Sequence, residues 1–273
     1  MSGLDQLRPN PVRHGLAVAR AVLALSLIRE AQFRAQAWTT IVVGFVEMLA
    51  QVVPVLVIFS HSTRVNGWDA GLVIAIAGVS EIMTSLLATF IAPNQAKMTD
   101  YIRAGQLDLI LIRPVAGQPF AALRWVQPAE AWGVLTGAAL TVIGLVASDI
   151  AIRPELVTVA LLWFVIGFLA VALVWTNLGY LAFWLTSVGA LGELFSALLT
   201  AGKYPLAFFP RAVRVIMLSL LPLGFATTVP VQILTGTVRP LLLVYGVGLL
   251  ALLVIITRLH WLAGIRRYSS ASS

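Results

Sequence analysis

The sequence predicts an all-α integral membrane protein with six transmembrane helices, an N-terminal amphipathic helix and re-entrant helices before the last span. Of its 273 residues, 60% are hydrophobic and only 11% are charged, whereas about a quarter are charged in ordinary globular proteins. The apolar residues also fall into runs near the roughly 20 residues that a helix needs to cross a bilayer. A soluble domain could not cover so much apolar surface with polar side chains, so soluble fold classes are excluded.

The charge balance is explained by membrane topology. The chain has 18 Lys and Arg residues against 11 Asp and Glu residues, a net charge of +7. The basic residues mostly flank apolar runs, where positive charge marks the cytoplasmic side, so no nucleic-acid partner is expected. The absence of cysteine excludes disulfides and thiolate chemistry. His14, His61 and His260 show no ligand spacing, so no metal site is expected.

The first predicted unit is a cytoplasmic N-terminus at residues 1–36. Its apolar stretch at 16–28 is interrupted by Arg20 and is too short to span a bilayer. Glu30 and Arg34 are four residues apart, a spacing that stabilises a helix. We therefore expect an amphipathic helix that lies in the membrane interface.

The second predicted unit, residues 37–273, is a single transmembrane domain. Its spans are predicted at residues 37–60, 70–92, 128–147, 156–185, 190–204 and 240–259. The fourth and fifth spans divide one uncharged run, residues 156–192. As a single helix this run would be about 55 Å long, far more than the hydrocarbon core of about 30 Å. The chain must therefore turn, and residues 187–189 are the expected cytoplasmic corner.

Two further segments connect these spans. The polar residues 93–127 carry more basic than acidic side chains and are predicted to be cytoplasmic. Residues 204–238 are apolar but interrupted by prolines, which predicts broken half-helices that are shielded by protein or a water-filled cavity. If this segment crossed the membrane, the C-terminus with Arg266 and Arg267 would lie outside, against the positive-inside rule. We therefore expect short helices that dip in from the outer side.

Four carboxylates lie in or near the predicted spans, where an acid is costly and is a functional hypothesis by default. Glu47 and Glu81 are near the middle of adjacent antiparallel spans and are the candidate substrate-pathway residues. A structural hydrogen bond to a neighbouring helix is the alternative for both. Glu130 and Glu193 are close to cytoplasmic ends and are expected to reach water.

No motif indicates catalysis. The third span contains Gly133 and Gly137 in a GxxxG pattern, which permits close helix packing, most simply within this chain. Ala201-Gly-Lys203 has neither the earlier glycine nor the following Ser or Thr that a phosphate-binding loop requires. The sequence thus predicts no catalytic residue, no cofactor bound by this chain and no enzymatic activity of the chain alone.

Two separated motifs support a family resemblance. The first is Ile102-Arg-Ala-Gly-Gln-Leu-Asp-Leu-Ile-Leu-Ile-Arg-Pro114, and the second begins at Tyr204-Pro205 and continues through Leu221-Pro222 to Val229-Pro230. Together with the order of the spans, they resemble short bacterial ABC-2-type permeases, a subfamily that includes viologen and drug exporter permeases. The resemblance covers nearly the whole chain and implies a fold like that of type V ABC exporters.

The resemblance also implies roles for named segments. Residues 12–36 match an elbow helix. The loop at 93–127 matches the one that docks into the ATPase, and its motif residues are Asp100, Arg103, Gly105, Leu107, Asp108, Arg113 and Pro114. The segment at 204–238 matches the re-entrant helices that close the outer side of the pathway, and its motif residues are Tyr204, Pro205, Phe209, Pro210, Pro222 and Pro230.

The function implied by the resemblance is that of a permease subunit of an ATP-driven exporter. Its expected partners are an ABC ATPase dimer that carries ATP and Mg, a second permease copy in a homodimer or related heterodimer, and membrane lipid. The expected location is the bacterial cytoplasmic (inner) membrane, with multiple passes and both termini cytoplasmic. The alternative is a proton-coupled secondary transporter that uses the membrane carboxylates, and the energy source would discriminate the two. A membrane enzyme or purely structural subunit is the third possibility.

Overall fold

The computed structural model describes residues 20–29, 34–112, 116–185 and 188–268, and these residues form an all-α bundle. The α-helices are α1 (residues 20–29), α2 (Arg34–Phe59), α3 (Ala70–Phe90), α4 (Ala92–Arg103), α5 (Asp108–Leu111), α6 (Gly117–Leu123), α7 (Trp132–Ala147), α8 (Val157–Tyr180), α9 (Gly189–Leu199), α10 (Arg211–Ser219), α11 (Leu223–Ala226), α12 (Thr228–Leu234) and α13 (Pro240–Arg267). Short 3-10 turns lie at Pro128–Ala131, Pro154–Leu156, Leu181–Phe183, Thr200–Lys203 and Leu206–Phe208. The described residues contain no β-strand, only an isolated bridge between Val65 and Trp68, so the predicted fold class is confirmed.

Five helices in the described residues are long and apolar enough to cross a membrane. They cover Trp38–Phe59, Ala70–Arg103, Pro128–Ala147, Pro154–Phe183 and Pro240–Arg267. A sixth span would result if α10 and the chain from Leu223 to Leu234 were counted together, but the axes of these two pieces differ by 73°. The bundle therefore has five candidate spans and one sharply bent segment.

Two ends of the bundle can be distinguished. We call the end that carries residues 60–69 and 148–156 the distal end, and the end that carries α4, α5 and α6 the loop end. The second candidate span, Ala70–Arg103, contains 34 residues, which corresponds to about 51 Å of helix. Because the hydrocarbon core is about 30 Å thick, α3 and α4 together are longer than one crossing requires, and α4 lies at the loop end.

Helix α3 is the centre of the bundle, and α7 packs closely along it. A Cβ atom added at Gly78 would lie 2.5 Å from the Thr141 backbone nitrogen, and one added at Gly137 would lie 2.7 Å from the Gly78 carbonyl oxygen. Real Cβ atoms do not approach backbone atoms this closely, so the two helices are in contact only because these positions are glycine. Gly137 of the GxxxG pattern thus packs within this chain.

The outermost helices are α2 and α13. In the most apolar 18-residue stretch of each helix, only 6% of the residues of α2 and 11% of those of α13 are buried. On α2 the exposed large apolar side chains are Trp38, Val42, Val43, Phe45, Val46, Leu49, Val53, Leu56, Val57 and Ile58. Such faces are unstable in water and require lipid or another apolar protein surface.

The structure differs from the sequence prediction in three element boundaries. The last helix continues to Arg267, eight residues beyond the predicted end, because its terminal arginines are exposed and do not interrupt the helix. Residues 93–127 are largely helical rather than a loop, since α3 continues into α4 after a break at Ile91. The predicted fifth span, 190–204, corresponds to α9, which has only 11 residues, followed by a 3-10 turn.

The predicted re-entrant segment, residues 204–238, has both of its ends at the distal end. Near its start, the Asn66 side-chain amide donates a hydrogen bond to the Ala207 carbonyl oxygen at 3.3 Å. Near its end, the Arg153 backbone N–H donates to the Leu234 carbonyl oxygen at 2.9 Å. Asn66 and Arg153 belong to the two turns that define the distal end.

Between these two points the segment reaches the middle of the bundle. Gly167 lies near the midpoint of α8, and a Cβ added there would lie 2.5 Å from the Phe225 carbonyl oxygen. The bend between α10 and α11 follows Pro222, which cannot continue a helix hydrogen-bond ladder. The chain therefore descends from the distal end to mid-depth and returns.

Candidate functional site

A cavity of about 620 Å³ lies between α2, α3, α7 and α9. Its polar lining side chains are Thr39, Thr40, Glu47, Glu81, Thr84, Ser85, Glu130, Thr136, Ser196, Thr200 and Lys203, and its aromatic ones are Trp132 and Trp175. Three carboxylates and one amine thus line one space inside an apolar bundle. We call this space the acidic cavity.

The predicted pathway residues Glu47 and Glu81 both line this cavity. Each lies near the middle of its helix, so neither reaches the helix end where water would solvate it. The Gln51 amide, one turn after Glu47, donates a hydrogen bond to Glu81 Oε2 at 3.0 Å. Glu47 is exposed toward the cavity side of α2 and Glu81 is half-buried. The interhelical hydrogen bond of Glu81 is the structural role that the sequence left open as an alternative.

Gly133 provides the space for the Glu81 carboxylate. A Cβ added at Gly133 would lie 3.2 Å from Glu81 Oε1 and 3.0 Å from Ser85 Oγ. The Ser85 hydroxyl in turn donates a hydrogen bond to the Glu130 backbone carbonyl. The start of the GxxxG pattern therefore has a second role, because it leaves room for a charged group between α3 and α7.

The structure brings two further charged residues to this cavity. Glu130, which is predicted to reach water at a cytoplasmic end, lines the same cavity as Glu81. Lys203, near the end of the predicted fifth span, lines the cavity close to the depth of Glu81. A Cβ added at the neighbouring Gly202 would lie 3.4 Å from Ser80 Oγ. The short length of α9 explains this position, and hydropathy does not reveal it.

A second cavity of about 590 Å³ adjoins the first toward the loop end. Trp175 and Ser196 line both spaces, and the second space also contains Glu193 and Thr99. Gln95 lines it as well, is only 6% exposed, and neither its amide oxygen nor its nitrogen has a hydrogen-bond partner. We call this space the vestibule. The vestibule therefore lies next to the acidic cavity, on the side of the loop end.

The predicted coupling residues lie at the end of α4 and in α5. Asp100 and Arg103 are exposed, and Asp100 forms a 3.9 Å ion pair with Lys97. Gly105 has a φ of +68°, a left-handed conformation that suits glycine and ends α4. Leu107 is completely buried. Arg113 and Pro114 lie outside the described residues.

Buried contacts hold this region against the ends of the spans. Leu107 and Ile110 pack in a cluster that includes Tyr180 of α8 and Trp261 of α13. Asp108 lies beside Tyr268, which follows α13, and burial together with this carboxylate raises the pKa of the Tyr268 hydroxyl. Leu109 and Ile112, by contrast, are 59% and 78% exposed, so the tip of this region has an apolar surface.

A polar network that the sequence did not reveal connects α6 to α8 and α13. The Gln118 amide on α6 donates to the Thr257 carbonyl oxygen at 3.2 Å and accepts from Arg258 Nη1 at 2.9 Å. Asn177 on α8 donates to Thr257 Oγ1 at 2.6 Å and bonds His260 Nδ1 at 2.9 Å. These bonds connect α6 directly to α13 and, through Thr257, to α8.

The predicted gate residues have different environments. Pro205, Pro222 and Pro230 are buried, Tyr204 and Phe209 are half-buried, and Pro210 is exposed. The Leu206 backbone N–H donates to Thr228 Oγ1 at 3.3 Å, so the two halves of the re-entrant segment contact each other. Tyr204 directly follows Lys203, which connects this segment to the acidic cavity.

Comparison with known proteins gives one match. The family model described as ABC-2 family transporter protein matches residues 45–272. No curated protein and no solved structure matches the chain. Within the described part of the chain, no group of three or more His, Asp or Glu side chains could hold a metal ion.

Proposed function

Because this chain belongs to the ABC-2 family of transporter proteins, we propose that it is the permease subunit of an ATP-driven exporter of lipophilic cations. Family membership and the apolar helices make it a multi-pass membrane transport component, and the family implies partnership with an ABC ATPase. The export direction, the cationic substrate and the oligomeric arrangement are the proposed part.

The acidic cavity is the observation that supports a cationic substrate. Glu47, Glu81 and Glu130 contribute three negative charges against the single positive charge of Lys203. Carboxylates at membrane depth are energetically costly, so an intramembrane carboxylate indicates a functional site by default. The same cavity has the indole of Trp175 in its wall, and an aromatic face attracts organic cations. A lipophilic cation would pair with the carboxylates through its charge and contact the apolar wall through its hydrocarbon groups.

The proposed mechanism assigns a role to each end of the bundle. The loop end faces the cytoplasm, where an ATPase dimer with bound ATP and Mg docks on α4 and α5. A second copy of this chain, or a related permease, completes the pathway against the exposed faces of the outer helices. Substrate passes the vestibule, is held by Glu47 and Glu81, and leaves when the re-entrant segment opens at the distal end. The switch is a rigid-body rearrangement driven by the ATPase.

Transport in proteoliposomes tests this proposal. The chain is reconstituted with its partner ABC ATPase, and uptake of tetraphenylphosphonium into the lumen is measured for transporters whose ATPase faces the outside of the vesicle, where ATP is added. We expect uptake that requires ATP and persists in the presence of a protonophore. The double variant Glu47→Gln/Glu81→Gln should reduce uptake by about tenfold or more, which corresponds to a loss of about 1.4 kcal/mol in cation binding.

Two controls make the result interpretable. Glu155→Gln removes an exposed carboxylate at the distal end and should leave uptake unchanged. Tetraphenylborate, an anion of similar size, should not be transported. Uptake that collapses with the protonophore but ignores ATP would establish the proton-coupled alternative, and equal transport of the anion would refute the role of the acidic cavity.

A further inference from the structure

A crevice at the loop end combines two arginines with an apolar wall. It has a volume of about 570 Å³ and lies between α1 and the chain at the end of α6. Its lining residues are Ala21, Val22, Leu25, Ile28, Arg29, Phe120, Arg124 and Trp125. It is separate from the acidic cavity and from the vestibule, with which it shares no lining residue.

Both guanidinium groups of the crevice are held at the same indole ring. Arg29 Cζ lies 4.3 Å from the centre of the Trp125 ring, and Arg124 Cζ lies 5.6 Å from it. Arg29 is fixed from its own helix, because its side chain donates to Ser26 Oγ at 2.9 Å and to the Leu25 carbonyl oxygen at 3.3 Å. The two positive charges are therefore positioned by the fold before any ligand binds.

No carboxylate compensates these charges in the part of the chain that the structure describes. The only ion pair there joins Lys97 to Asp100. Two adjacent guanidinium groups without a carboxylate are a site for an anion, and the planar fork of arginine matches phosphate oxygens in particular. The ligand of this crevice is thus expected to be negatively charged.

The depth of the crevice indicates where the anion comes from. Trp125 is fixed to the start of α4, since its backbone N–H and carbonyl both bond the Asn94 side chain at 2.8 Å. Two residues later, the Gln127 N–H donates to the Thr89 carbonyl oxygen at 3.0 Å, and the third candidate span begins at Pro128. The crevice therefore lies where spans meet the polar layer, at the height of lipid headgroups.

The rest of the lining suits acyl chains. Leu25 and Ile28 of α1 are 61% and 58% exposed, and Ala21 and Val22 continue the same wall. A soluble phosphate compound would leave this wall in contact with water, whereas a phospholipid would cover it. Charge and apolar surface together match one amphiphilic ligand.

We propose that this crevice binds one anionic phospholipid of the loop-end leaflet. Its phosphate contacts Arg29 and Arg124, and the upper part of an acyl chain lies along Leu25 and Ile28. Bound in this way, the lipid fastens α1 to α6 and to Trp125, which is itself fixed to α4. The site requires no assumption about the transported substrate or the ATPase.

Lipid binding to the purified chain in a neutral detergent tests the site. Phosphatidylglycerol is titrated and followed by native mass spectrometry and by the rise in melting temperature, with phosphatidylcholine and glycerol 3-phosphate as comparison ligands. We expect saturable binding of phosphatidylglycerol alone. The variant Arg29→Gln/Arg124→Gln should bind it about 30-fold more weakly, the effect of removing two basic residues at a membrane surface.

The matched control removes the same charge elsewhere at the loop end. Arg266→Gln/Arg267→Gln changes two exposed arginines of α13 and should retain wild-type affinity. If the first variant is unstable in lipid-free detergent, Ile28→Glu adds a negative charge at an exposed position of the crevice and should reduce binding equally. The proposal is overturned by equal affinity of wild type and both crevice variants, by equal binding of phosphatidylcholine, or by equal binding of glycerol 3-phosphate.

Discussion

At the scale of residues, two neighbouring amides of α4 show how differently the fold uses the same chemistry. Asn94 is completely buried and makes three hydrogen bonds, to the Phe90 carbonyl and to both backbone groups of Trp125. Gln95 is almost as buried, but both of its amide atoms lack a partner. A satisfied buried amide stabilises a fold, whereas an unsatisfied one costs about 1–3 kcal/mol. Asn94 therefore has a structural role, and Gln95 is retained at a cost.

Matched substitutions at these positions should have opposite effects on stability. Asn94→Leu removes three hydrogen bonds and leaves the Trp125 backbone groups unsatisfied, so we expect a loss of about 3 kcal/mol. Gln95→Met keeps the volume and removes an unsatisfied amide, so stability should be unchanged or higher by about 1 kcal/mol. Thermal unfolding in detergent measures both. A Gln95→Met variant as unstable as Asn94→Leu would show that Gln95 is structural.

The candidate site could be predicted from sequence only where a single residue is unusual in its local context. Glu47 and Glu81 are acids within apolar runs, so hydropathy alone marks them. The position of Lys203 depends on the short length of α9, and the position of Gln95 depends on the continuation of α3 into α4. Neither property follows from local composition, because a helix end inside the bundle depends on the tertiary contacts around it.

At the scale of elements, α3 and α7 form the most extensive helix–helix contact among the described residues. Glycines face backbone along its length, from Gly71 and Gly144 at the distal end to Gly78 and Gly137 near the middle. Helices in a membrane gain little from the hydrophobic effect, so close van der Waals contact is a main source of their association. The pair therefore forms a rigid part of the permease, against which α2 and α9 line the cavity.

Bulky substitutions in this contact should destabilise the protein strongly. Gly137→Val places side-chain atoms where a Cβ alone would already lie 2.7 Å from the Gly78 carbonyl and 2.8 Å from the Ile82 nitrogen. Such overpacking costs about 1–3 kcal/mol or more and should lower the melting temperature. Gly248→Val is the matched control on α13, because nothing lies within 4 Å of a Cβ at Gly248. Equal melting temperatures of the two variants would contradict this account.

Hydropathy predicted the straight spans well and the broken ones less well, for a physical reason. An apolar run of about 20 residues has one stable arrangement in lipid, so its position can be read from the sequence, although the helix can continue past the apolar run, as α13 does to Arg267. The stretch from Gly189 to Leu234 forms four short helices joined by turns. Its prolines indicate the breaks, but the depth that each piece reaches depends on contacts such as that of Gly167 with Phe225.

At the scale of the whole molecule, the polar network of Gln118 and the buried cluster around Leu107 join the loop end to α8 and α13. The exposed surface next to this network and cluster is suited to transmit the movement of a bound partner protein to α8 and α13. Arg103 and Ile112 belong to that surface, whereas Gln118 is part of its connection to the spans. Binding of the ATPase and transmission of its movement can therefore be tested separately.

We expect Arg103→Glu to weaken association with the ATPase by about tenfold, as charge reversal at an interface does. Arg211→Glu makes the same charge change at an exposed position of the distal end and should have no effect. Gln118→Leu should retain ATPase binding but lose the stimulation of ATP hydrolysis by substrate. Co-purification and hydrolysis assays measure these effects, and wild-type association of Arg103→Glu would remove α4 from the proposed interface.

The three carboxylates and one amine of the acidic cavity also have an electrical consequence. With all four groups ionised, the cavity of one chain carries a formal charge of −2, and a monovalent cation does not neutralise it. Each elementary charge that moves across the whole membrane exchanges about 2.3 kcal/mol with a potential of 100 mV. An unloaded permease whose charged cavity switches sides would thus respond to voltage differently from a loaded one, and its turnover in a cell would follow the membrane potential as well as the ATP supply.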